Sequence, residues 1–592
     1  MAKIADEKHA MEDKKIENIS DDLDEVDKVA TCSVEEETAV EGSGREEGRP
    51  HISFKTKMAV LALIMMFESY LFTLIMPAAV LAYINAELGP DPRYPWITVT
   101  WNLGAAIIVT VGGRLADIFG RRWFLITGAV SAAVGALVGA TGQSIPQMIV
   151  AGVLFGFGGG FQEMCFACAQ ELVPNRYRFA TLGVMIFANH ISSFGPLLAY
   201  VFVEYSGIGW RACYWWCFGW EVATAIMLWV FYRPPTFNTM HEDDGKSKWQ
   251  LVKELDHVGL WLFTAACLLL LLGLNWGGVS YPWNSSHVIA PIVVSLVCFI
   301  ALACWEVYAN LKYPILPPAL FKKWREFSSL LVVCFVAGML YYSMNVLWPR
   351  QSTLLFLNST DTIIRGVYAN MVSFGTIIAG WYCIGVMPWV GHERWQVVGF
   401  MTAQTALIGS MASIGIDNKV QAIATVVAVA ACNLPPSPLS FGMVSLGLDD
   451  QRDIGVAVGL ISTFRLIGGA VATSIYVSIY TSRYATSIVP TLQRNIVESG
   501  FKGQFHMLLT ATTTNTPAAY AKVPGINEQT VQAAMLAVKE AYVGAFRVVY
   551  LVAIAFGVCA IASALSTRSV KKSNKSNERA VVLETERETG KV

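Results

Sequence analysis

Long runs of apolar residues, separated by short polar stretches, repeat along the chain from residue 58 to residue 566. A helix needs about 20 apolar residues to cross the core of a bilayer. By that criterion fourteen segments are candidate spans, at residues 58–83, 96–116, 123–142, 147–170, 179–203, 210–232, 257–275, 287–308, 327–347, 366–387, 395–415, 420–443, 454–478 and 541–566. The pattern predicts an all-α polytopic membrane protein with fourteen transmembrane helices.

The polar stretches divide these segments into groups of six, two and six. The predicted parts are an N-terminal bundle at 51–232, a cytoplasmic linker at 233–256, an inserted hairpin at 257–308 and a C-terminal bundle at 309–566. Within the last group, a long polar loop is predicted at 479–540, with a helical pattern at 527–540. Two six-helix halves of this kind are typical of secondary transporters.

The charges of the 592-residue chain are concentrated at its ends. Residues 1–50 hold 16 acidic and 7 basic residues and predict a disordered acidic tail, and residues 567–592 form a second hydrophilic tail. Between the tails about one residue in ten is charged, too few for the surfaces of soluble domains. The net charge of −1 and the lack of a basic stripe argue against nucleic acid as a partner.

Basic residues indicate the orientation in the bilayer. With both tails cytoplasmic, the short inside loops hold fourteen Lys and Arg residues and the short outside loops hold four. Because positive charge concentrates on the cytoplasmic side, both termini are predicted to be cytoplasmic. Sequons at Asn284 and Asn358 then fall outside and are predicted glycosylation sites. We expect a monomer in the plasma membrane, with a vacuolar or vesicle membrane left open.

The stretch Gly113–Arg122 reads GRLADIFGRR and follows the second span. Glycines allow helices to pack closely, and Asp117 lies among arginines with which it can form breakable charge-assisted bonds. The stretch resembles the loop motif G-x-L-A-D-x-x-G-R-R of the major facilitator superfamily. That resemblance implies an inner gate formed by Gly113, Arg114, Asp117, Gly120, Arg121, Arg122 and, after the fourth span, Glu171.

Two acidic residues inside spans are candidates for proton coupling. Glu68 lies in the first span, nine residues before Pro77, and Glu163 follows a run of glycines in the fourth. An intramembrane carboxylate is costly and usually faces a cavity, where it can bind and release a proton. The Glu68 region resembles the first span of fourteen-span drug:proton antiporters. Those proteins usually carry an arginine where this chain has Gly152, and Glu163 is a candidate to compensate.

Three further residues are candidates for the substrate pathway. Arg465 is a cation inside the thirteenth span, where it needs an acidic partner or an anionic substrate. Gly195-Pro196 kinks the fifth span and resembles half of an antiporter motif. Structural roles remain open for Arg465 and for both acids.

Other residues receive structural interpretations. Cys165 and Cys168 have the spacing of a metal site, but no His or acidic residue follows at ligand spacing, so no metal is expected. His190 is interpreted as a packing or hydrogen-bonding residue. An enzyme is not expected, because no catalytic cluster gathers at one membrane depth. No cofactor is expected beyond the proton gradient.

Several later blocks resemble one family. They include LGLNWGG at Leu272–Gly278, GMLYYS at Gly338–Ser343 and AFRVVYL at Ala545–Leu551. Together the blocks resemble the fungal trichothecene efflux pump family of fourteen-span major facilitators, over about residues 50–566. One departure is Asn433–Pro438, NLPPSP, whose three prolines must distort the twelfth span.

The family resemblance implies proton-coupled export of a small, largely apolar toxin, metabolite or drug by alternating access. Fungal siderophore importers share the plan, so a ferric-siderophore:proton symporter remains an alternative. A non-transporting membrane sensor is a remote one, because the two tails are short. The expected partners are the small-molecule substrate, protons and the lipid bilayer.

Overall fold

The structure is a computed structural model that describes residues 52–235, 248–278, 280–309, 311–357, 361–448, 451–497, 501, 503–515 and 517–584. Its regular secondary structure in these ranges is helical, with two isolated β-bridges and no strand. The predicted acidic tail 1–50, half of the linker (236–247) and the Asn358 sequon lie outside the described residues.

Fourteen long helices follow one another along the described chain. They are α1 Phe54–Ala79, α2 Trp96–Phe119, α3 Arg121–Ala140, α4 Ile145–Leu172, α5 Asn175–Tyr205, α6 Arg211–Phe231, α7 His257–Trp276, α8 Ser286–Tyr308, α9 Trp324–Leu355, α10 Thr362–Gly385, α11 Glu393–Met411, α12 Lys419–Gly447, α13 Ile454–Ile496 and α14 Glu528–Ser566. The helices α4, α5, α9, α10 and α12 each consist of two or more consecutive segments.

Twelve of these helices are long and apolar enough to cross a membrane. The other two, α6 and α11, occupy the places of the predicted sixth and eleventh spans but include charged side chains. Arg211 and Glu221 lie in α6, and Glu393 and Arg394 in α11. The membrane character of the protein is confirmed, and the count of fourteen spans stays a prediction.

The helices pack as two halves, α1–α6 and α9–α14. The halves meet along two lines, α2 against α13 and α5 against α10. The hairpin of α7 and α8 lies outside them, with α7 against both α2 and α13. The two meeting lines therefore form the seam between the halves.

Glycines let α4 approach its neighbours within the first half. A Cβ on Gly156 would come within 2.6 Å of the Trp101 carbonyl oxygen of α2, and one on Gly158 within 2.6 Å of the Gly128 carbonyl oxygen of α3. Gly152 is equally tight, because a Cβ there would collide with the Ile97 carbonyl oxygen. An arginine at position 152, as in drug antiporters, would not fit this packing.

The predicted loop 479–540 is largely helical. The helix α13 continues to Ile496, beyond the predicted end at residue 478, and α14 begins at Glu528 instead of residue 541. The buried residues Ile488 and Leu492 of α13 are four positions apart and so continue one helical face. The Thr/Ala-rich composition of this stretch conceals that pattern. At 1.5 Å per residue both helices are about 60 Å long, twice the bilayer core.

The extended parts of α13 and α14 form a small cap with two short helices, Phe505–Thr514 and Pro517–Tyr520. Leu492, Leu508, Tyr520, Ala534 and Ala537 make its apolar core. We call the end of the bundle with this cap the loop end, and the opposite end, with Gly113–Arg122, the motif end.

Candidate substrate cavity and gate

A narrow central cavity lies between the two halves. Its lining from the first half is Phe67, Tyr70, Leu71, Phe166, Ile186 and Asn189, and from the second Tyr341, Tyr342, Leu434, Ser437, Pro438, Phe441 and Arg465. The surface is therefore mainly aromatic, with a few polar groups. The Tyr70 and Tyr342 hydroxyls, 3.5 Å apart, join the halves at this level.

The predicted candidates Glu163 and Arg465 form an ion pair beside this cavity, and Arg465 also lines it. Arg465 Nη1 lies 3.2 Å from Glu163 Oε1, and both side chains are buried. The arginine also lies over the rings of Tyr341 and Tyr342, at 5.4 and 5.5 Å from their centroids. Such contacts favour the charged guanidinium. The sequence supplied both charges but not their pairing, since the residues are 302 positions apart.

Glu163 lies at an interruption of α4. Its first segment ends at Gln162 and its second begins at Cys165. Three glycines, 158–160, precede the break and weaken the helix locally. Arg465 lies within the unbroken helix α13, whose backbone packs closely on Gly338 of α9.

Glu68 is in a different environment. It is buried in α1, and its Oε2 accepts a hydrogen bond from the Ser192 N–H at 3.0 Å, while Oε1 has no partner among the described residues. The segments of α5 break at Asn189 and Phe194 around this serine. Neither Glu68 nor Glu163 is part of the cavity lining given above, but Glu68, unlike Glu163, has no cationic partner in the described chain.

The Gly195-Pro196 pair lies at the same contact between α1 and α5. Gly195 is buried, and a Cβ there would come within 2.7 Å of Ile75 Cδ1. Pro196 stands in the first turn of the segment Gly195–Tyr205, where a proline is tolerated. The structure thus places both residues behind Glu68 and not on the cavity surface.

Asn433 is a polar residue whose role the sequence does not reveal. It ends the first segment of α12, before the break at Leu434-Pro435. With its amide oriented to satisfy both atoms, it donates to the Ala337 carbonyl at 3.2 Å and accepts from the Tyr341 N–H at 2.9 Å. The Ala337 carbonyl and the Tyr341 N–H pair with each other in a regular helix. Asn433 therefore lies against the backbone hydrogen bonds of α9, beside the cavity tyrosines.

The motif end is held by the charges of the predicted gate. Arg121 Nη2 lies 2.6 Å from Asp117 Oδ1 and also pairs with Glu171. Arg114 reaches the other half, with Nη1 3.6 Å from Asp453 Oδ1. The structure thus brings Asp117, Arg121 and Glu171 together at this end and places Arg114 against the other half.

Gly113, Gly120 and Arg122 of the motif each have different contacts. Gly120, with φ of 92°, ends α2 in a conformation that L side chains rarely adopt. Gly113 lies close to Gly455 of α13, since a Cβ on Gly113 would be 3.3 Å from the Gly455 carbonyl oxygen. Arg122 donates to the Trp229 carbonyl of α6 at 2.7 Å and so stays within the first half.

Arg178, at the motif end, is a buried residue whose contacts the sequence does not predict. It is fully buried and donates to the Gln170 carbonyl at 3.1 Å, the Ser445 carbonyl at 2.9 Å and Gln451 Oε1 at 2.7 Å. Ser445 Oγ in turn donates to Gln170 Oε1 at 2.7 Å. Two of the acceptors of Arg178, on Ser445 and Gln451, belong to the second half. Arg178 therefore links the two halves.

Four other residues that the sequence singles out have the following surroundings. Cys165 and Cys168 are buried, and Cys168 Sγ lies 3.8 Å from Arg121 Nη1. His190 Nδ1 lies against the Phe187 carbonyl. Asn284 is exposed in the turn before α8, at the loop end, where the Nε1 of neighbouring Trp283 donates to Ser478 Oγ at 2.6 Å.

A buried acid was also missed. Glu221 of α6 is fully buried, and its Oε2 accepts from Gln162 Nε2 at 2.6 Å. The only signal in the sequence is a lone acid inside an apolar span, as for Glu68. Its contact with Gln162 lies within the first half.

Known proteins resemble the chain over most of its length. The sequence profile of the fungal trichothecene efflux pump (TRI12) family matches residues 46–577. The trichothecene efflux pump TRI12 of Fusarium sporotrichioides is 29% identical over 504 residues, which cover 84% of this chain and 83% of the relative. The pump of the same name from Trichoderma arundinaceum is 26% identical over 513 residues, 83% and 82% of the two chains.

A solved structure supports the fold. The proton:xylose symporter XylE, a major facilitator superfamily protein bound to 6-bromo-6-deoxy-D-glucose, matches with a TM-score of 0.52 and 14% identity, over 90% of this chain and 99% of that one. The predicted major facilitator fold is confirmed, and the chain is a transporter, not an enzyme. It belongs to the fungal trichothecene efflux pump (TRI12) family.

Proposed function

We propose that this protein exports a small, largely apolar toxin or secondary metabolite from a fungal cell, as a monomeric proton-coupled antiporter. Export is supported by the family and by the names of the two relatives, both of which are efflux pumps. The siderophore-import alternative has no support from either. An apolar substrate agrees with the aromatic cavity lining, in which a few polar groups can orient a ligand.

The observation that carries the coupling proposal is the Glu163–Arg465 ion pair. It joins the halves at the cavity, and both partners are buried. Breaking a buried ion pair leaves an uncompensated charge, which costs about 3–5 kcal/mol. A proton on the Glu163 carboxylate removes its negative charge and so weakens the attraction before the halves separate.

The proposed cycle follows from this pairing. When the loop end is open, substrate leaves and a proton from outside binds Glu163 Oε1, which frees Arg465 from its partner. The halves then rock so that the motif end opens. There the proton leaves to the cytoplasm, substrate enters, and the ion pair forms again as the motif end closes.

Glu68 has a secondary place in this proposal. It is buried but faces the broken helix α5 and no cation among the described residues. A proton there would change the α1–α5 contact within the first half, without releasing a bond between the halves. We therefore propose Glu163 as the coupling carboxylate.

The membrane side is proposed from charge. The motif end holds most of the basic loop residues, so by the positive-inside rule it is cytoplasmic and the cap and the exposed Asn284 are outside. Glycosylation at Asn284 agrees with that orientation, and we propose the plasma membrane as the location.

The test compares wild type with Glu163→Gln in fungal cells that lack their own pumps. The probes are a radiolabelled trichothecene, a panel of apolar dyes and a siderophore loaded with radioactive iron. We expect wild type to lower trichothecene or dye accumulation, and a protonophore to abolish this. Glu163→Gln should lose export against a gradient but keep the exchange of labelled for unlabelled substrate, which needs no net proton movement.

Two matched variants control for the general effect of removing a carboxylate from the protein. Glu204→Gln removes an exposed acid of α5 and should leave export unchanged. Glu68→Gln removes the other buried acid and should keep export sensitive to the protonophore. Loss of coupling in Glu68→Gln with normal coupling in Glu163→Gln would reverse the assignment, and iron uptake that rises with expression would overturn export itself.

A further inference from the structure

The C-terminal tail of the described chain lies across the motif end. After α14 ends at Ser566, residues 568–584 run as an extended segment with one short turn at Lys572–Asn574. We call residues 568–584 the C-terminal strap. The sequence predicts only a hydrophilic tail here, yet Leu583 is 1% exposed and belongs to the main apolar core.

The strap pairs with the first half mainly through backbone groups. The Asn175 N–H donates to the Glu578 carbonyl at 3.0 Å and the Arg176 N–H to the Ser576 carbonyl at 3.1 Å. These two donors stand at the start of α5, where helical N–H groups have no partner within the helix. The strap therefore supplies the acceptors that the helix lacks.

Two further backbone hydrogen bonds complete the attachment of the strap to the first half. The Val581 N–H donates to the Glu171 carbonyl at 3.0 Å, near the end of α4, where carbonyls lack helical partners. The Glu584 N–H donates to the Arg233 carbonyl, just after α6, at 3.1 Å. Glu171 is also the residue that pairs with Arg121 in the gate.

The strap is attached to the second half as well. Lys575 Nζ lies 2.6 Å from Glu393 Oε1, and the Glu393 side chain is 4% exposed. Asn574 Nδ2 donates to the Leu446 carbonyl of α12 at 2.7 Å, and the Arg568 N–H to the Arg325 carbonyl of α9 at 3.2 Å. One segment of seventeen residues thus bridges the two halves on the face that must separate when the motif end opens.

We propose that the strap is an inhibitory clamp, which holds the motif end closed and must leave one half before that end can open. Its contacts with the first half include the carbonyl of a gate residue, and its ion pair fixes it to the second half. Rocking of the halves would stretch the strap between Lys575, which is bound to the second half, and Glu578, which is bound to the first. The clamp rests on the proposed alternating access, but its position can be tested without any transport.

The central test uses Lys575→Glu, which places two acids where an ion pair stood. The readout is the rate at which a membrane-permeant maleimide labels the native Cys168, measured by peptide mass spectrometry on the full-length protein in membranes. Cys168 is buried beside Arg121, so we expect it to become accessible when the motif end opens. We expect labelling to rise roughly two- to fivefold, the shift in equilibrium that one modest ion pair provides.

Two variants separate the clamp from a general charge effect. Lys571→Glu makes the same change at an exposed strap residue four positions away and should leave labelling at the wild-type rate. The exchange of charges in Lys575→Glu/Glu393→Lys should return labelling towards wild type. Equal increases in Lys571→Glu and Lys575→Glu would overturn the clamp.

A truncation after Thr567 removes the whole strap. We expect it to label Cys168 faster than Lys575→Glu and, where export is measured, to raise the initial rate. Unchanged labelling in both the truncated chain and Lys575→Glu would overturn the proposal. If wild type exports none of the probes, the proposed function fails, while the labelling still decides whether the strap holds the gate.

Discussion

The two ends of the bundle are closed by different kinds of contact. At the motif end, polar contacts cross from one half to the other, as with Arg178 to Gln451 at 2.7 Å and Arg114 to Asp453 at 3.6 Å. At the loop end, the ion pairs of the described residues, such as Arg211 with Glu87, stay within one half.

From the centre towards the loop end the contacts between the halves are mainly apolar, with a hydrogen bond between the Ser193 and Thr376 hydroxyls at 3.1 Å. Tyr200 of α5 packs against Gly366 of α10, and the rings of Phe194 and Phe374 are 6.2 Å apart. Polar groups can exchange their partners for water when a gap opens, so the net cost is small. Apolar contacts separate at a cost set by the area exposed. The motif end should therefore respond most to loss of charge and the loop end to a change of shape.

The largest effect is expected for Arg178→Ala at the motif end. The substitution leaves buried acceptors without a donor, at a cost of about 1–3 kcal/mol for each group that stays unpaired. We expect Cys168 to be labelled on the order of a hundredfold faster, because a shift of about 2.8 kcal/mol in favour of the open gate gives that ratio. Maleimide labelling of full-length protein in membranes measures this.

The matched control for Arg178→Ala is Lys322→Ala, which removes an exposed basic residue at the same end. It should label like wild type. Wild-type labelling in Arg178→Ala at normal expression would show that the polar contacts of this residue do not hold the gate.

A change of shape at the loop end should have the opposite consequence. Gly366→Val adds atoms against Tyr200, whose side chain would be 3.0 Å from the new Cβ. Overpacking of this kind costs about 1–3 kcal/mol and should keep the loop end from closing. We expect export to fall several-fold while Cys168 labelling does not rise. Gly399→Val, where a Cβ meets nothing within 4 Å, is the control, and faster labelling in Gly366→Val would contradict the comparison.

The same contrast explains what the sequence could predict. Asp117 and Arg121 are four residues apart, so one helix end brings them together and a short motif contains the information. Arg178 and its acceptor Ser445 are 267 positions apart, and nothing local marks the arginine as more than an inside charge. A charge buried in a span, such as Glu163 or Arg465, requires a partner. The sequence predicts that requirement but does not show which residue the partner is.

At the loop end, composition was misleading. The Thr/Ala-rich stretch after residue 478 resembles a polar loop, yet α13 continues through it because its few apolar residues share one helical face. The length of a helix beyond the bilayer depends on what covers that face. Here the segment Phe505–Thr514 covers that face only once the chain has folded. The end of the thirteenth span was therefore predicted eighteen residues too early.

Leu508→Ala tests whether the cap is a separate structural unit. Leu508 is fully buried in the apolar core of the cap, and truncation of such a side chain costs about 2–5 kcal/mol. We expect faster proteolysis within 479–540, with gate labelling unchanged. Met507→Ala, next to it and 39% exposed, should resist proteolysis like wild type. Altered Cys168 labelling in Leu508→Ala would show that the cap and the gate are coupled.

The smallest effect is expected for the exposed ion pair of the loop end. Glu87 accepts from Arg211 Nη1 at 2.6 Å and from Trp210 Nε1 at 2.7 Å, and the hydrogen bond from Arg211 lowers the pKa of Glu87 below its ordinary value. A lowered pKa stabilises the folded state at pH values above the unfolded pKa, and this contribution is lost as the pH falls through the folded pKa. Because the carboxylate is half exposed, the contribution should stay below about 1 kcal/mol.

The measurement is the difference in thermal unfolding midpoint between wild type and Glu87→Gln in detergent. It should be small and positive at pH 7 and vanish as the solution is acidified below the folded pKa, since both proteins then carry a neutral side chain. Glu204→Gln should show no such difference. A Glu87→Gln difference that is independent of pH would mean that the contact acts through packing on Trp210, and the loop end would then have no charge that matters to its stability.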